Sequence, residues 1–365
     1  MPSINQSSFS PRGLKVILPH GGLPEIISPY LLELIKKTGG PNGPIGKQFI
    51  SQPHLESQHY QKGAKDPLIE DQYEVAPGLI YKYKGKLDQS GQVQQSGRVL
   101  WTITRFCAAY CRFCTRGREI GLPSNQSFSS GATIAKQPFL TNRQLNQVFR
   151  FLKEKKEINE LIISGGDPLT TPKDYLTTII NGLVKLQQQG FLKIIRLGTR
   201  LPISNPLMIK NWHYQLLATI SNLYLMVHIN HPLELTKEAL IVLNNFKRKS
   251  QATIMSQSVL LKGVNDSSQT LYQLFVKLTE EGIQPYYVFQ NDPVYWAHHF
   301  TVPIKKTIKI WGQLRPQLSG TAATARLVID TPFGHGKIPL PEGNAWQVDY
   351  RYFTDFHNKK HSLLQ

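Results

Sequence analysis

The stretch VLWTITRFCAAYCRFCTR, residues 99–116, decides how this chain folds and what it carries. Its first six residues, VLWTIT, are β-branched, aromatic or leucine, the composition of a strand. Three cysteines follow at once, Cys107, Cys111 and Cys114, and the 365-residue chain has no others. An odd count closes no disulfide framework, and a closed zinc site needs four ligands. Three thiols in a loop after a strand can converge on one center. On a four-iron cluster, three ligands leave one iron open to a small molecule's amino and carboxylate groups. The competing chemistry is zinc completed by a histidine, but no histidine lies in or beside the loop.

Outward from that loop, strand-like runs alternate with amphipathic helices. TNRQLNQVFRFLKEK (141–155) places Leu145, Val148, Phe149 and Leu152 on one face, with Thr141 and Gln144 at capping-box spacing. ELIIS, LKIIRLG, LYLMVHI, ATIMSQSVLL, QPYYVFQ and ARLVID read as further strands, with helices between several of them. About seven βα-type units in series imply a parallel sheet, open or closed into a barrel. In such sheets the chemistry sits at the C-terminal ends of the strands. Cys107, the SGGDP run, His228, Asp292 and Asp330 all follow or end strand runs. Residues 1–92 are rich in Pro, Gly, Gln and Ser and read as an accessory region, with a short helix at SPYLLELIKK. Residues 93–330 form the expected core, and 331–365 a short C-terminal segment. The polar stretch GLPSNQSFSSGATIAKQPF (121–139) reads as a flexible insertion.

Forty-two Lys and Arg against 24 acidic residues give a net charge of +18, which draws phosphates, acidic proteins and nucleic acid. The dense runs KEKK and FKRK fall at helix ends, where cations suit the dipole. No basic stripe is interleaved with aromatics, so nucleic acid is not the expected partner. No apolar run reaches the ~18 residues of a membrane span. The N-terminus lacks a basic start followed by an apolar core, and a cytoplasmic location is expected.

Two more motifs carry chemistry. In SGGDP, Ser164, Gly165, Gly166 and Asp167 follow a strand, and the glycines let backbone approach a ligand closely. In DTPFGHGKIPL (330–340), Lys337 sits among glycines, and lysine is the residue that forms an imine with pyridoxal phosphate. Alone, GHGK is a surface turn, too short for a Walker phosphate loop.

The CxxxCxxC loop resembles the signature of the radical S-adenosylmethionine (SAM) enzymes, and the GGD resembles that family's GGE-type motif. Taken in order, CRFCTR, SGGDPL, RLGTR, HINHP, SVLLKGVND, PYY…D…HHF and D.P.G.GK.P resemble the lysine 2,3-aminomutase family across roughly 65–340. GPIGKQFI resembles its N-terminal lead-in. The resemblance implies a partial (β/α) barrel that moves the amino group of L-lysine from C2 to C3, giving β-lysine. It implies a 4Fe-4S cluster on Cys107, Cys111 and Cys114. Ser164, Gly165, Gly166 and Asp167 would meet SAM. Lys337 would hold pyridoxal 5'-phosphate, and Arg98 would contact its phosphate. Arg116 would clamp the substrate carboxylate, a bidentate task that suits a guanidinium. Asp292 and Asp330 would bind the distal ammonium, and His228 and Gln257 would line the cofactor pocket.

A reductant such as flavodoxin or ferredoxin is the implied protein partner, and a homo-oligomer is compatible with the sequence. Three alternatives remain open here: the family branch serving β-lysylation of elongation factor P, a 2,3-aminomutase for another amino acid, and a zinc- and RNA-binding protein. The loop before Lys337 reads Phe333-Gly334-His335-Gly336, bulkier than the family's usual glycine run, which bears on the substrate more than on the cofactor.

Overall fold

The computed structural model describes residues 15–17, 23, 25–58, 63–120, 139–342, 352–355 and 359–362. The expected insertion at 121–139 lies outside these residues except for its last position. The main sheet has ten strands: β1 Glu74–Ala76, β2 Leu79–Tyr83, β3 Gly97–Thr104, β4 Ile158–Gly165, β5 Ile194–Thr199, β6 Leu223–His228, β7 Thr253–Leu260, β8 Gln284–Gln290, β9 Arg326–Asp330 and β10 Lys337–Pro339. They lie side by side in chain order. β3 to β9 are parallel, and β1, β2 and β10 are antiparallel additions at the two edges.

This order explains the architecture. Right-handed crossovers that always step in one direction put every helix on the same face, so the sheet curls around its other face. The two edge strands, β1 and β10, do not pair with each other, and the barrel stays open. The helices covering the outer face include α2 Asn142–Glu154, α3 Lys173–Gln188, α4 Asn211–Leu217, α5 Lys237–Ser250, α6 Ser268–Glu280 and α7 Ile304–Leu314; α1, Pro29–Lys37, belongs to the accessory region.

Strand alternation sorts residues between the two faces. Val99, Trp101, Leu161, Ile163, Ile195, Leu197, Leu225, Val227 and Val288 are buried and join the core built with Leu145, Val148, Leu176 and Ile179 of the helices. Trp101 meets Phe149 edge-to-face at 5.6 Å between ring centers. The intervening positions, among them Arg98, Ser164, Arg196, Gln257 and Phe289, are half-buried and face inward. The barrel interior therefore receives the polar side chains.

The expected strands and helices all form, and the capping box at α2 closes in both directions, Gln144 N to Thr141 Oγ1 at 3.3 Å and Thr141 N to Gln144 Oε1 at 2.8 Å. The strand expected to start at residue 99 begins at Gly97, so Arg98 lies inside β3. The region before residue 92 contributes β1 and β2 to the main sheet, and the segment after 331 contributes β10. Unassigned by the sequence reading was α7, although its buried Thr307, Ile310, Trp311 and Leu314 have helical spacing. Among the described residues no helix is long and apolar enough to cross a membrane.

Candidate active site

Two adjoining cavities open inside the barrel, the first at the C-terminal ends of the parallel strands and the second deeper, beside Arg98, Arg196 and Tyr287 within the strands. The first, about 240 Å³, is lined by the three cysteines, Ser164 to Asp167, Arg200, His228 and Asp292. The second, about 350 Å³, is lined by Glu70, Lys82, Arg98, Tyr287, Asp330 and Lys337. Arg116, Ser164, Gly198, Met226 and Gln257 line both and form the wall between them.

The cysteine loop is clamped from both sides. Arg112, within it, is fully buried and ion-paired with buried Glu56 of the accessory region, its Nε donating to Glu56 Oε1 at 2.8 Å. On the other side, Gly166 N donates to Thr104 O at 2.7 Å and Asp167 N to Phe106 O at 2.8 Å. A Cβ on Gly166 would stand 2.1 Å from Phe106 O, so only glycine lets the two turns touch. The variant Gly166→Ala is expected to push Phe106 and Cys107 outward, with a loss of roughly 1–3 kcal/mol of stability by overpacking. A lowered melting temperature together with reduced iron loading checks this.

Burial, then the negative charges around them, push the Cys107 thiol well up and the Cys114 thiol up to about 12. Thiolates here call for a compensating positive center. One partial compensation is built in: buried Arg200 donates from Nη1 to Cys111 Sγ at 2.8 Å. Among the described residues no group of three or more His, Cys, Asp or Glu is set to hold a single metal ion. A cluster takes each cysteine on a different iron and so spaces its ligands more widely. Tyr110 Oη and Arg200 Nε, both on residues lining this cavity, are buried without a partner. The donor set and these orphaned polar atoms fit a cluster with a polar ligand beside it.

The Asp167 carboxylate lines this cavity, but its hydrogen bonds go to the protein. It accepts from Leu169 N, Thr199 Oγ1, Arg200 N and Leu201 N at 2.7–3.0 Å. It thereby fixes the turn that carries Arg200. His228 is held neutral, its imidazole pushed down to about 3 by burial and by the Arg200 charge, with Nε2 on Asn230 Oδ1 at 3.0 Å. Gln257 pairs in register with His228 on the neighboring strand.

In the second cavity, antiparallel pairing of β9 with β10 sets Asp330 directly opposite Lys337. Lys337 Nζ donates to Asp330 Oδ2 at 2.6 Å and lies 5.3 Å from the Phe289 ring center. Arg98 lies 4.4 Å over the Tyr83 ring. A lysine, an arginine and tyrosines around one cavity fit a cofactor with an aldehyde, a phosphate and an aromatic ring. Asp292 accepts from Thr115 Oγ1 at 2.9 Å. Its carboxyl is pushed up to about 6, chiefly by burial and further by the negative charge of Asp330. The two aspartates thus line adjoining cavities within electrical reach of each other.

Arg116 stands in the shared wall with its guanidinium paired to Glu70. Burial opposes its charge, but the Glu70 carboxylate more than offsets this and holds it above the usual arginine range. Glu70, Lys82, Tyr287 and Arg200 are site residues that carried no assigned role in the sequence reading. Arg200 was within reach, as the last residue of RLGTR. Glu70 comes from a short-turn region without periodicity, where no sequence signal marks it.

The model of the radical SAM superfamily matches residues 101–275. A putative L-lysine 2,3-aminomutase of Aquifex aeolicus is 32% identical over 88% of this chain and 78% of its own length. The L-lysine 2,3-aminomutase of Clostridium subterminale is 32% identical over 86% of this chain and 68% of its own. The solved structure of native anSMEcpe with bound AdoMet overlaps 60% of this chain and 58% of its own, at 13% identity and a TM-score of 0.44. The chain belongs to the lysine 2,3-aminomutase family of radical SAM enzymes, a family of isomerases. Membership implies an iron–sulfur cluster and SAM.

Proposed function

We propose that this enzyme is a pyridoxal phosphate-dependent aminomutase that moves the amino group of L-lysine from C2 to C3. The observation that carries the proposal is the wall shared by the two cavities. It sets a lysine-bearing pocket against a three-thiol pocket, as a radical reaction on a lysine-held cofactor requires. When bound, the cluster with SAM supplies radical chemistry, and pyridoxal phosphate supplies an electron-accepting ring for the migrating nitrogen.

The chain's residues do the rest. Cys107, Cys111 and Cys114 hold the cluster. Lys337 Nζ would hold the cofactor aldehyde. Arg98 takes the phosphate. Gly165 and Gly166 let their turn pack directly on the strand end that carries the cysteine loop, where a Cβ would meet Thr104 O or Phe106 O, and Gln257 and neutral His228 line the pocket without adding charge. Arg116 receives the α-carboxylate, and Asp330 and Asp292 receive the distal ammonium. Asp330 already pairs with an ammonium, that of Lys337, and is released when that nitrogen is engaged elsewhere. The walls orient the substrate and exclude water from the radical. The electron donor is a small reductant protein.

Two carboxylates suit lysine and oppose glutamate. Assay of the reduced, cofactor-loaded enzyme against a panel of amino acids tests the choice, with lysine expected to be converted and glutamate not. Asp330→Ala is expected to raise KM for lysine about 10- to 100-fold, the loss of one charged hydrogen bond of ~1.5–3 kcal/mol. An unchanged KM would remove Asp330 from the site.

Acid should act through Asp292. With its carboxyl raised to about 6, it is ionised above that pH and protonated below it. Lysine affinity is therefore complete at neutral pH and falls by about tenfold on going to pH 5, by proton linkage. Asp292→Asn should bind weakly at every pH and lose this dependence.

A further inference from the structure

The strongest unassigned feature of the site is Glu70. It is buried and comes from the N-terminal region, yet it lines the second cavity. Its carboxylate takes one edge of the Arg116 guanidinium, with Nε to Oε2 at 2.8 Å and Nη2 to Oε1 at 2.6 Å. The other edge is left to Nη1, whose one hydrogen bond among the described residues is a long one to Ser164 Oγ at 3.4 Å, in the wall between the cavities. A guanidinium has five N–H donors in a fixed plane, so a second carboxylate can bind that free edge while Glu70 stays in place.

The backbone around Glu70 is held for this purpose. Ile69, just before it, has φ of +53°, a left-handed conformation that a β-branched residue adopts only under constraint. The constraints are visible on both sides. Lys82 Nζ donates to Leu68 O at 3.0 Å. Arg118 pairs with Asp71 at 2.7 Å and with Asp66 at 3.3 Å. An acidic segment, Asp66 to Asp71, is thus fastened to the two arginines that follow the last cysteine. A carboxylate held at so many points is a fixed support, not a blocker waiting to be displaced.

We propose that Glu70 is the positioning residue of the substrate site: it fixes Arg116 by one edge and thereby selects the edge that reads the substrate carboxylate. This rests on the role proposed above for Arg116. It would also make the accessory region part of the specificity machinery.

The test compares L-lysine with L-lysinamide, which keeps both amines and replaces the carboxylate with a neutral amide. Their dissociation constants are measured by calorimetry on enzyme loaded with cluster, SAM and cofactor, reductant omitted. Wild type is expected to prefer lysine strongly. In Glu70→Ala that preference should shrink about 10- to 100-fold, the scale of a misplaced binding group. Glu70→Asp should restore part of it. Iron content and melting temperature of Glu70→Gln separate this from misfolding, since the amide keeps the shape and one hydrogen bond, and its preference should still narrow. An unchanged preference in Glu70→Ala, or tighter lysine binding there, overturns the proposal and leaves Arg116 standing. A wild type that does not distinguish the two ligands overturns the role of Arg116 itself, and this proposal with it.

Discussion

Replacing Lys337 with alanine is expected to abolish pyridoxal phosphate retention and turnover while leaving the cluster in place. Lys337 lies at the start of an edge strand, half-buried, and its ammonium is fixed by Asp330 at 2.6 Å. No cysteine lines its cavity, so the loss should stay local. Among the described residues the only other lysine lining that cavity is Lys82. Its Nζ is spent on the carbonyls of Leu68 and Thr331, at 3.0 and 2.7 Å, and does not replace Lys337 as an amine on the cofactor. The variant should elute brown, with full iron and without the imine absorbance. Retained imine absorbance would mean that another lysine carries the cofactor.

Alanine at Cys107, Cys111 or Cys114 should remove the other half of the chemistry. Each variant is expected to lose most of the about four irons a cubane brings, with no turnover, yet to keep pyridoxal phosphate on Lys337. Cys111 is informative beyond that. Its sulfur is the acceptor for Arg200, which also pairs with Glu234 at 2.8 Å. In Cys111→Ala the buried guanidinium keeps Glu234, so the protein should fold. A metal-free but folded Cys111→Ala separates cluster loss from collapse, by iron assay and circular dichroism. Full iron in all three variants would place the cluster elsewhere.

How far the sequence carried these conclusions differs from element to element. The parallel core was legible because each central strand is a short β-branched or aromatic run closed by a turn, and because α2 and α6 announce themselves by spacing and caps. The cysteine loop was legible by count alone. The edge strands were not: β1 and β10 have three residues each, too few for alternation to register. Pairing that joins Asp330 to Lys337 is a matter of register across a turn, which no local pattern states. Glu70 lay hidden for a related reason. Its importance comes from Arg116, 46 residues onward, and from a strained turn that composition does not reveal. Asp167 is a related case: its motif was legible, but its structural task was not, since both its oxygens accept from Thr199 and three backbone amides that only the fold brings together.

Migration of nitrogen within one molecule of lysine, as proposed, is open to isotopic labeling. Reduced enzyme loaded with cluster, SAM and pyridoxal phosphate is given lysine carrying 15N on its α-amino group and 13C along its chain, diluted in an excess of unlabeled lysine. The product is read by NMR through nitrogen–carbon coupling. Expected is 15N bonded to 13C at C3, with the mass of the doubly labeled substrate unchanged. Nitrogen still on C2, or lost to solvent, would contradict it.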